Sequence, residues 1–207
     1  MNAPMKTELL EQGTDAWLQA RLGRPTASEF SKLIGAQGKP STQAAGYINR
    51  LIAERITGEL PKIHETEAMR RGTELEPRAR SFYEFIEDMD VTEVGLVLHP
   101  ELECGASPDG LLSDGEGILE IKCPMGSTMV EYLRGGKLPS KYKPQVMGQL
   151  WITNRAYCHF LAYHPKMDHL LVRVERDEAY IELLAEQVAK ACETIKKETE
   201  KWSMNHG

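Results

Sequence analysis

Residues 106–123 read ASPDGLLSDGEGILEIKC, a stretch that combines two turn signals with a short apolar segment carrying charges. The Asp-Gly pairs at 109–110 and 114–115 are typical of tight turns, because glycine and aspartate tolerate the backbone angles that turns need. The segment 117–123 is typical of a β-strand, in which residues two apart face the same side. We therefore expect Glu120 and Lys122 to project together from one face, while their neighbours face a core.

A second carboxylate, that of Asp109, is expected beside this face, because the turn returns the chain alongside Glu120 and Lys122. Two carboxylates at close range repel each other, and one ammonium offsets only part of that repulsion. Mg²⁺ offsets more of it, because this hard cation prefers oxygen and is commonly held by one or two carboxylates. The stretch therefore predicts a Mg²⁺ site, with the backbone carbonyl of Ile121 as a further ligand.

Such a site suits the hydrolysis of a phosphodiester. A metal ion polarises a phosphate oxygen and acidifies a bound water, and a second ion about 3.5–4 Å away stabilises the leaving oxygen. Lys122 then orients or deprotonates the attacking water, or it neutralises charge in the transition state. Taken alone, however, these residues are equally compatible with a plain β-hairpin whose Glu120–Lys122 face is solvated.

Composition indicates one globular domain spanning residues 1–207. Hydrophobic residues make up 41% and charged residues 27% of the chain, which excludes a disordered or fibrous protein. The net charge of −6 argues against a protein that coats DNA through many basic contacts, but it leaves a nuclease open. The sequence has neither a membrane-length apolar run nor a signal peptide, so we expect a cytoplasmic protein with no membrane partner. The four cysteines lack metal-ligand spacing and are expected to be reduced core thiols.

The hydrophobic pattern predicts an α/β fold, in which helices flank a central mixed sheet of four or five strands. Strands are predicted at 91–100, 103–106, 117–123, 157–164 and 169–177, the last two as antiparallel neighbours. Helices are predicted at 14–23, 24–35, 44–57, 67–88, 141–154 and 178–202. Thr14 and Asp177 are expected to cap the first and last of these helices.

The helix at 67–88 carries a pattern of apolar or small residues that predicts a buried face. These positions are Ala68, Gly72, Leu75, Ala79, Phe82 and Ile86. Pro77 interrupts the pattern, and it predicts a kink or a helix restart at Glu76, because proline removes a backbone hydrogen bond.

Ordered motifs run through nearly the whole chain: TDAWLQAR, GRPTASEF, RGTELEPRAR, SPDGLLSDGEGILEIKCP, KPQVMGQLW, YHP and VERDE. Together they resemble the PD-(D/E)xK nuclease superfamily and, within it, the phage lambda exonuclease family, also called the YqaJ-type viral recombinase nucleases. The resemblance implies a restriction-endonuclease-like core and processive 5′→3′ digestion of linear double-stranded DNA to mononucleotides. Two Mg²⁺ ions are implied as the cofactor, with Mn²⁺ as an alternative ion.

The resemblance also implies partners. The product with a 3′ single strand would pass to a single-strand annealing protein in recombination. The resemblance implies a homotrimer that forms a ring around the duplex. In such a ring the protein encloses the DNA instead of holding it by high affinity, and only the lining of the channel needs to be basic. A net charge of −6 is compatible with that arrangement.

Carried over residue by residue, the resemblance makes Asp109 and Glu120 the metal ligands and Lys122 the catalytic lysine. Glu76, in the pattern Gly-x-x-x-Glu, resembles a further acid near the metal-bound water, although an exposed helix acid is the alternative explanation. Gln145 matches the first glutamine of a Gln-x-Gln pair that the family places near the site.

A terminal 5′-phosphate is the preferred end in the family, and its contacts map onto Arg21, Thr26, Ser28 and Ser107. Arg21 offers a fork of N–H donors to phosphate oxygens. Ser28 lies in the first turn of a predicted helix, where free N–H groups favour an anion. In the alternative interpretation, Thr26 and Glu29 form a capping box and have no role in binding.

The chain departs from the family pattern at Met147, which occupies the second position of the Gln-x-Gln pair. Gln149 lies one helical turn after Gln145 on the same side of the helix and is an open replacement. The family also parts base pairs with an apolar residue, a position that Met69 matches, although methionine on an apolar stripe is more often core. The basic and aromatic residues 141–143 either touch DNA or form a solvated helix start.

Two other functions remain open from the sequence. A structure-selective or site-selective endonuclease shares the same core, although the PTAS segment favours an enzyme that binds DNA ends. A catalytically inactive DNA-end-binding scaffold would require a lost ligand, yet every charged residue of the set is present.

Overall fold

Groups of helices and groups of strands follow one another along the chain in the computed structural model, which describes residues 6–8, 10, 12–60 and 66–204. The strands are β1 (Lys6–Glu8), β2 (Val91–Thr92), β3 (Leu96–Leu98), β4 (Gly105–Ala106), β5 (Gly110–Leu112), β6 (Gly117–Lys122), β7 (Tyr157–Ala162) and β8 (Leu170–Glu175). The α-helices are α1 (Asp15–Arg21), α2 (Ala44–Thr57), α3 (Glu67–Glu87), α4 (Gly126–Gly135), α5 (Lys143–Thr153) and α6 (Glu178–Met204). Short 3₁₀ helices cover Ala27–Lys32 and Ser140–Tyr142.

A five-stranded mixed sheet in the order β2-β5-β6-β7-β8 forms the centre and confirms the predicted α/β architecture. Only the central pair β6–β7 is parallel, and it aligns Glu120 with Phe160. Every residue of β7 is buried, as expected for a central strand covered on both faces. The antiparallel pairing of β7 with β8 is also confirmed.

The predicted strand at 91–100 is instead two strands in two different sheets. Val91–Thr92 pairs with β5 in the central sheet, whereas Leu96–Leu98 lies between β1 and β4 in a separate three-stranded sheet. All three residues of β3 are buried, so the alternation that suggested one half-exposed strand does not describe it. Gly105 of β4 is required by packing, because a Cβ there would lie 2.9 Å from a methyl carbon of Leu96.

Two long helices, α2 and α6, pack together and supply much of the main core. The stripe predicted for α6 is buried throughout, at Ile181, Leu184, Val188, Cys192 and Ile195. Asp177 caps this helix, since its Oδ1 accepts a hydrogen bond from the backbone N–H of Tyr180 at 3.0 Å. Thr14 caps α1 in the same way, through the N–H of Trp17 at 3.3 Å.

A helix that the sequence pattern did not indicate, α4, begins and ends at glycine. Its buried residues Met129 and Tyr132 pack on Phe160 and Ala162 of the central sheet. Glycine is a weak helix former, which hid this element from propensity arguments, while contact with the sheet supplies the missing stability.

The helix α3 is continuous through Pro77, so the helix does not restart at Glu76, and the alternative of a kink there stays a prediction. Of the six positions predicted to be buried, only Ala79 is fully buried, because Leu75, Phe82 and Ile86 are half-buried and the fully buried Tyr83 lies outside the predicted pattern. In the first half, Ala68 is exposed and Gly72 is only half-buried, because this part of the helix borders an open cleft. Within the described ranges, no helix is long and apolar enough to cross a membrane.

Candidate active site

A cleft of about 450 Å³ lies between the first half of α3 and the ends of β5 and β6. Its lining contains Ala68, Met69, Gly72, Thr73, Glu76, Asp109, Ile121, Lys122, Cys123, Pro124 and Tyr142. The cleft therefore collects four of the sequence-predicted site residues from two separate parts of the chain.

Asp109 enters the cleft from the residue before β5. The chain bends at Asp109, between β4 and β5, and Gly110, the last residue of the predicted turn, begins β5 and pairs with Leu119 of β6. The Oδ2 atom of Asp109 accepts a hydrogen bond from the backbone N–H of Ile121 at 2.6 Å. The N–H and C=O of one strand residue point to the same edge, so the carbonyl of Ile121 also faces the side of Asp109. Burial, together with the charge of Glu120, raises the pKa of Asp109 well above its ordinary value.

Glu120 is almost completely enclosed, with 1% of its surface exposed. Its Oε1 accepts hydrogen bonds from Lys122 and from Nε2 of Gln145, the latter at 2.6 Å. Its Oε2 accepts from Nε2 of Gln149, also at 2.6 Å. A buried carboxylate held by three donors contradicts the solvated-hairpin interpretation of this stretch, in which the Glu120–Lys122 face would be exposed.

Gln145 and Gln149 of α5 both contact Glu120, although Met147 occupies the second position of the Gln-x-Gln pair. Met147 is buried in the main core, whereas Gln149 is 1% exposed and donates a hydrogen bond to Glu120. Because residues four apart on a helix lie on the same side, Gln145 and Gln149 can grip the two oxygens of one carboxylate together. The helix α5 thus delivers two amides to Glu120 through i,i+4 spacing.

Lys122 lies beside both acids, with its Nζ bonded to Glu120 and 5.5 Å from the ring centre of Tyr142. Burial lowers the pKa of Lys122, but the charges of Glu120 and Asp109 outweigh this effect and raise it above the ordinary value. The amine is therefore held as an ammonium that donates hydrogen bonds.

Glu76 faces the same cleft from α3 and is bonded to Arg80 at 2.8 Å. Burial raises the pKa of Glu76, while the charges of Arg80 and Lys122 act in the opposite direction. Arg80 is itself buried and also pairs with Glu93 at 2.7 Å. Glu76 is thus a partly buried, positioned acid, which contradicts the alternative of a freely exposed helix residue.

The oxygen groups of the cleft fit a hard divalent cation. Asp109, Glu120 and the Ile121 carbonyl offer three oxygen groups, and burial together with the charge of Glu120 raises the pKa of Asp109, an effect that a bound cation would offset. Each carboxylate offers about four lone-pair positions, so the bonds described above leave some free. Across residues 6–8, 10, 12–60 and 66–204, no group of three His, Cys, Asp or Glu side chains is gathered closely enough to form a metal site by itself. A cation here would therefore rely on the backbone oxygen and on ligands from outside the protein.

A second, basic pocket is formed by Arg21, Thr26 and Ser28. The Nη2 atom of Arg21 donates to the hydroxyls of Thr26 and Ser28, both at 3.1 Å. The predicted capping box is wrong, because the Thr26 side chain makes no capping bond and the Glu29 carboxylate pairs with Lys32 and Arg50. The element that follows is a 3₁₀ helix rather than an α-helix. Thr26 is therefore free to serve the pocket.

Hydrogen-bond donors dominate this pocket. Arg21 forms no ion pair with an acid among the residues described, and burial lowers its pKa although the guanidinium stays protonated at working pH. Both hydroxyls accept from Arg21 and lie 3.4 Å apart, so at most one of their two protons is used between them. At least one O–H, together with an unneutralised cation, is left to bind an anion.

Ser107 joins the pocket to the cleft, since Asp109 follows two positions later in the same Ser-Pro-Asp tripeptide. The carbonyl of the intervening Pro108 accepts a hydrogen bond from Gln12 at 3.0 Å. Trp17 also contacts the pocket, at Arg21 and at Ser107, and the sequence analysis did not single it out. The i,i+4 spacing of Trp17 and Arg21 on α1 was the available signal.

Met69 is 46% exposed and lines the cleft, so the interpretation of this methionine as core is wrong. In the basic and aromatic cluster, Lys143 pairs with Asp177 at 2.9 Å, and Tyr142 lines the cleft with Lys141 over its ring. The cluster is thus neither fully free for DNA nor simply solvated.

Comparisons with known proteins identify the family and the fold of the chain. A family model for the YqaJ-like viral recombinase domain matches residues 16–156. The chain is also similar to the crystal structure of an alkaline exonuclease (LHK-Exo) from Laribacter hongkongensis, with a TM-score of 0.84 and 35% identity, covering 93% of this chain and 98% of that chain. For the structure of LHK-Exo in complex with dAMP, the TM-score is 0.83 and the identity is 36%, with the same coverage of 93% and 98%.

A more distant structure, a phage related exonuclease from Haemophilus somnus 129PT, has a TM-score of 0.64 at 14% identity, covering 86% of this chain and 96% of that chain. At that identity it supports the fold alone. No curated protein sequence matches the chain.

Proposed function

The chain belongs to the YqaJ-like viral recombinase family and is a nuclease, and from this premise we propose that it is a Mg²⁺-dependent 5′→3′ exonuclease of linear double-stranded DNA. It releases mononucleotides and leaves a 3′ single strand for recombination by strand annealing. The structure of a relative with dAMP, a mononucleotide, supports that product.

One observation carries this proposal, namely that the acidic cleft and the basic pocket share the tripeptide Ser107-Pro108-Asp109. Two residues of extended chain span at most about 7 Å, so Ser107, which Trp17 links to the pocket, lies close to Asp109 of the cleft. A pocket for a terminal phosphate next to a hydrolytic site favours an enzyme that begins at a 5′ end. An endonuclease has no need for such a pocket.

In this mechanism Asp109, Glu120 and the carbonyl of Ile121 would hold Mg²⁺. When bound, the ion supplies Lewis-acid activation of a phosphate oxygen and of a water molecule. Gln145 and Gln149 fix both oxygens of Glu120, so that this ligand is oriented before substrate arrives. Lys122 carries its proton at Nζ and neutralises charge on the phosphate that is cleaved. Glu76, held by Arg80, faces the same cleft and accepts a hydrogen bond from the attacking water.

The pocket determines which DNA ends are accepted. Arg21 contributes a cation that forms no ion pair with an acid among the described residues, and Thr26, Ser28 and Ser107 contribute hydroxyl groups. A 5′-phosphate satisfies these donors, whereas a 5′-hydroxyl leaves the partly buried guanidinium without a counter-charge.

The experiment that tests this function compares three substrates in Mg²⁺: linear duplex with 5′-phosphate ends, the same duplex with 5′-hydroxyl ends, and closed circular duplex. We expect mononucleotides from both linear forms, faster release from the phosphorylated form, and an intact circle. Cleavage of the circle would identify an endonuclease instead. Binding of ends without any cleavage would identify a scaffold.

We extend the proposal to assembly as a homotrimer ring that passes its product to a single-strand annealing protein in the cytoplasm. The support is the family likeness and the net charge of −6, which is poorly suited to processivity through open electrostatic attraction. Phe85 on α3 is 85% exposed, an unusual position for a phenylalanine in a monomer. Sedimentation analysis should give a particle of about three times 23.3 kDa, and a monomer would refute the ring.

A further inference from the structure

Trp17 occupies a position that core packing does not explain. It lies on α1, a helix of seven residues with no buried side chain, and is itself only half-buried. Its two notable contacts both go to the basic pocket. The Arg21 guanidinium carbon lies 4.0 Å from the centre of its ring, and its indole Nε1 donates to Oγ of Ser107 at 3.1 Å.

The contact with Arg21 orients a cation without neutralising it. A carboxylate in the same place would hold the guanidinium equally well, but it would also cancel the charge that an anion needs. An aromatic face attracts the guanidinium through its quadrupole and leaves the planar fork of N–H donors free at the edge. With the two hydroxyls of Thr26 and Ser28 bonded to Nη2, the indole fixes the plane of the fork.

The contact with Ser107 orients a hydroxyl. Indole N–H is a donor only, so the oxygen of Ser107 must accept this hydrogen bond. The single proton of the Ser107 hydroxyl is then left to donate elsewhere. Trp17 thus has the same effect on Arg21 and on Ser107, because its contacts leave each of them able to donate a hydrogen bond.

We propose that Trp17 is a specificity-determining positioning residue that makes the pocket selective for a terminal 5′-phosphate over a 5′-hydroxyl. It acts through Arg21 and Ser107 and does not touch the scissile bond. The inference rests on the proposed function, in which Arg21, Thr26, Ser28 and Ser107 receive the 5′-phosphate.

The test separates the two contacts of Trp17 by substitution. Trp17→Phe keeps an aromatic face under Arg21 and removes the N–H, while Trp17→Leu removes both. We measure the rate ratio for 5′-phosphate over 5′-hydroxyl duplex in Mg²⁺, and the ratio of binding affinities for the same two duplexes in EDTA, where no turnover is needed. Trp17→Phe should lower each ratio roughly 3- to 10-fold, the effect of one lost hydrogen bond. Trp17→Leu should lower each ratio by roughly a further 2- to 5-fold, because it also removes the cation–π contact with Arg21.

A purely structural role would lower activity on both substrates equally and leave both ratios unchanged, and that result overturns the inference. Trp202→Phe is the matched control, because Trp202 lies near the end of α6, where its indole N–H donates to Glu198 and its ring lies near Lys201. This variant should behave as the wild type. Circular dichroism and thermal melting show whether each variant is folded. If Trp17→Leu does not fold, Trp17→Phe alone suffices for the test.

Two further variants distinguish failure of the inference from failure of the proposed function. If Arg21→Ala keeps the wild-type preference for 5′-phosphate, the pocket itself is assigned wrongly and both proposals fall. If Arg21→Ala loses the preference but both Trp17 variants keep it, only the inference falls. Ser107→Ala combined with Trp17→Phe should be no worse than either single variant, because both remove the same oriented donor. Fully additive effects would contradict action through Ser107.

Discussion

The cleft around Asp109 and the pocket around Arg21 are neighbours with opposite electrostatic character. In the cleft, two carboxylates lie so close that burial and mutual repulsion raise the pKa of Asp109. In the pocket, a guanidinium is surrounded by hydroxyls and an indole and has no acid partner among the residues described. Neither site balances its own charge. The cleft has an excess of negative charge that a cation would offset, and the pocket has a positive charge that an anion would offset. An unbalanced charge that the fold orients and leaves unpaired is the shared sign of a binding site.

The strongest way to break this comparison is to remove one acid of the cleft. Asp109→Asn keeps the shape and can still accept the hydrogen bond from Ile121, but it removes a charge that binds the metal. We expect turnover on linear duplex to fall roughly 10³-fold or more, with unchanged binding of duplex ends in EDTA. Asp88→Asn, an exposed residue at the end of α3, is the control and should keep full activity. Residual activity within tenfold of the wild type would remove Asp109 from the mechanism.

The same variant tests the charge repulsion in the cleft. Because the pKa of Asp109 is raised in the folded protein, its carboxyl favours folding most at pH values below about 4. That contribution is lost as the pH rises through the folded-state pKa. In EDTA, the free energy of unfolding of Asp109→Asn should therefore increase relative to that of the wild type as the pH rises from 4 to 8. Urea denaturation at each pH measures this difference. A loss of stability at pH 8 would contradict the predicted repulsion.

A smaller effect is expected from the amides that orient the metal ligand. Gln149→Leu removes the donor to Oε2 of Glu120 while keeping a buried apolar side chain. Loss of such a supporting contact commonly costs roughly 10- to 100-fold in metal affinity or activity. We expect a higher Mg²⁺ concentration for half-maximal rate, measured by titration. Gln187→Leu, on α6, is the control, and an unchanged Mg²⁺ dependence in Gln149→Leu would show that Gln145 suffices.

On the basic side, Thr26→Val tests whether this residue serves the pocket or caps a helix. Valine has nearly the shape of threonine, but it cannot accept the hydrogen bond from Arg21. The preference for 5′-phosphate should fall roughly tenfold, the effect of one charge-assisted hydrogen bond. Thr57→Val, an exposed threonine at the end of α2, is the control. A loss of thermal stability with an unchanged end preference would restore the capping interpretation.

The smallest effect is expected at Met69, which lines the cleft but bears no charge. If it parts base pairs, Met69→Ala should slow digestion of duplex a few-fold and leave digestion of single strands unchanged. Thermal stability should not change, because the side chain is 46% exposed. Ile56→Ala is the matched control, since Ile56 is 45% exposed and lies on α2, away from the cleft. Equal effects on duplex and single strands would exclude a role in strand separation.

The parts of the site that the sequence predicted are the local ones. The alternation around Glu120 and Lys122 and the turn at Asp114-Gly115 depend on residues adjacent in the chain, and Gly115 adopts the left-handed conformation that such a turn requires (φ 80°). The helices α2 and α6 were equally predictable from the sequence, because their apolar residues are regularly spaced and pack into the core. The roles of the site residues themselves still rest on the resemblance and on this geometry.

The parts that the sequence missed depend on contacts between distant residues. The hydrogen bond from Trp17 to Ser107 joins residues 90 positions apart, and no local pattern encodes it. Thr26 and Glu29 had the spacing of a capping box, yet Arg21, Lys32 and Arg50 offer partners that outweigh the local bond. The first half of α3 had the spacing of a buried face, but periodicity cannot tell a core from a cleft. Local rules thus failed where tertiary contacts compete for the same side chains.

The tripeptide Ser107-Pro108-Asp109 has a consequence for how far the enzyme would advance at each cut. Its length is a matter of covalent geometry, and Gln12 holds it in place by bonding to the carbonyl of its central residue. In the proposed mechanism this tripeptide would act as a molecular ruler between the residues that anchor the 5′ end and the hydrolytic centre. A glycine inserted beside Pro108 would lengthen the ruler, and the expected result is a change in the size of the released fragments rather than a mere loss of speed.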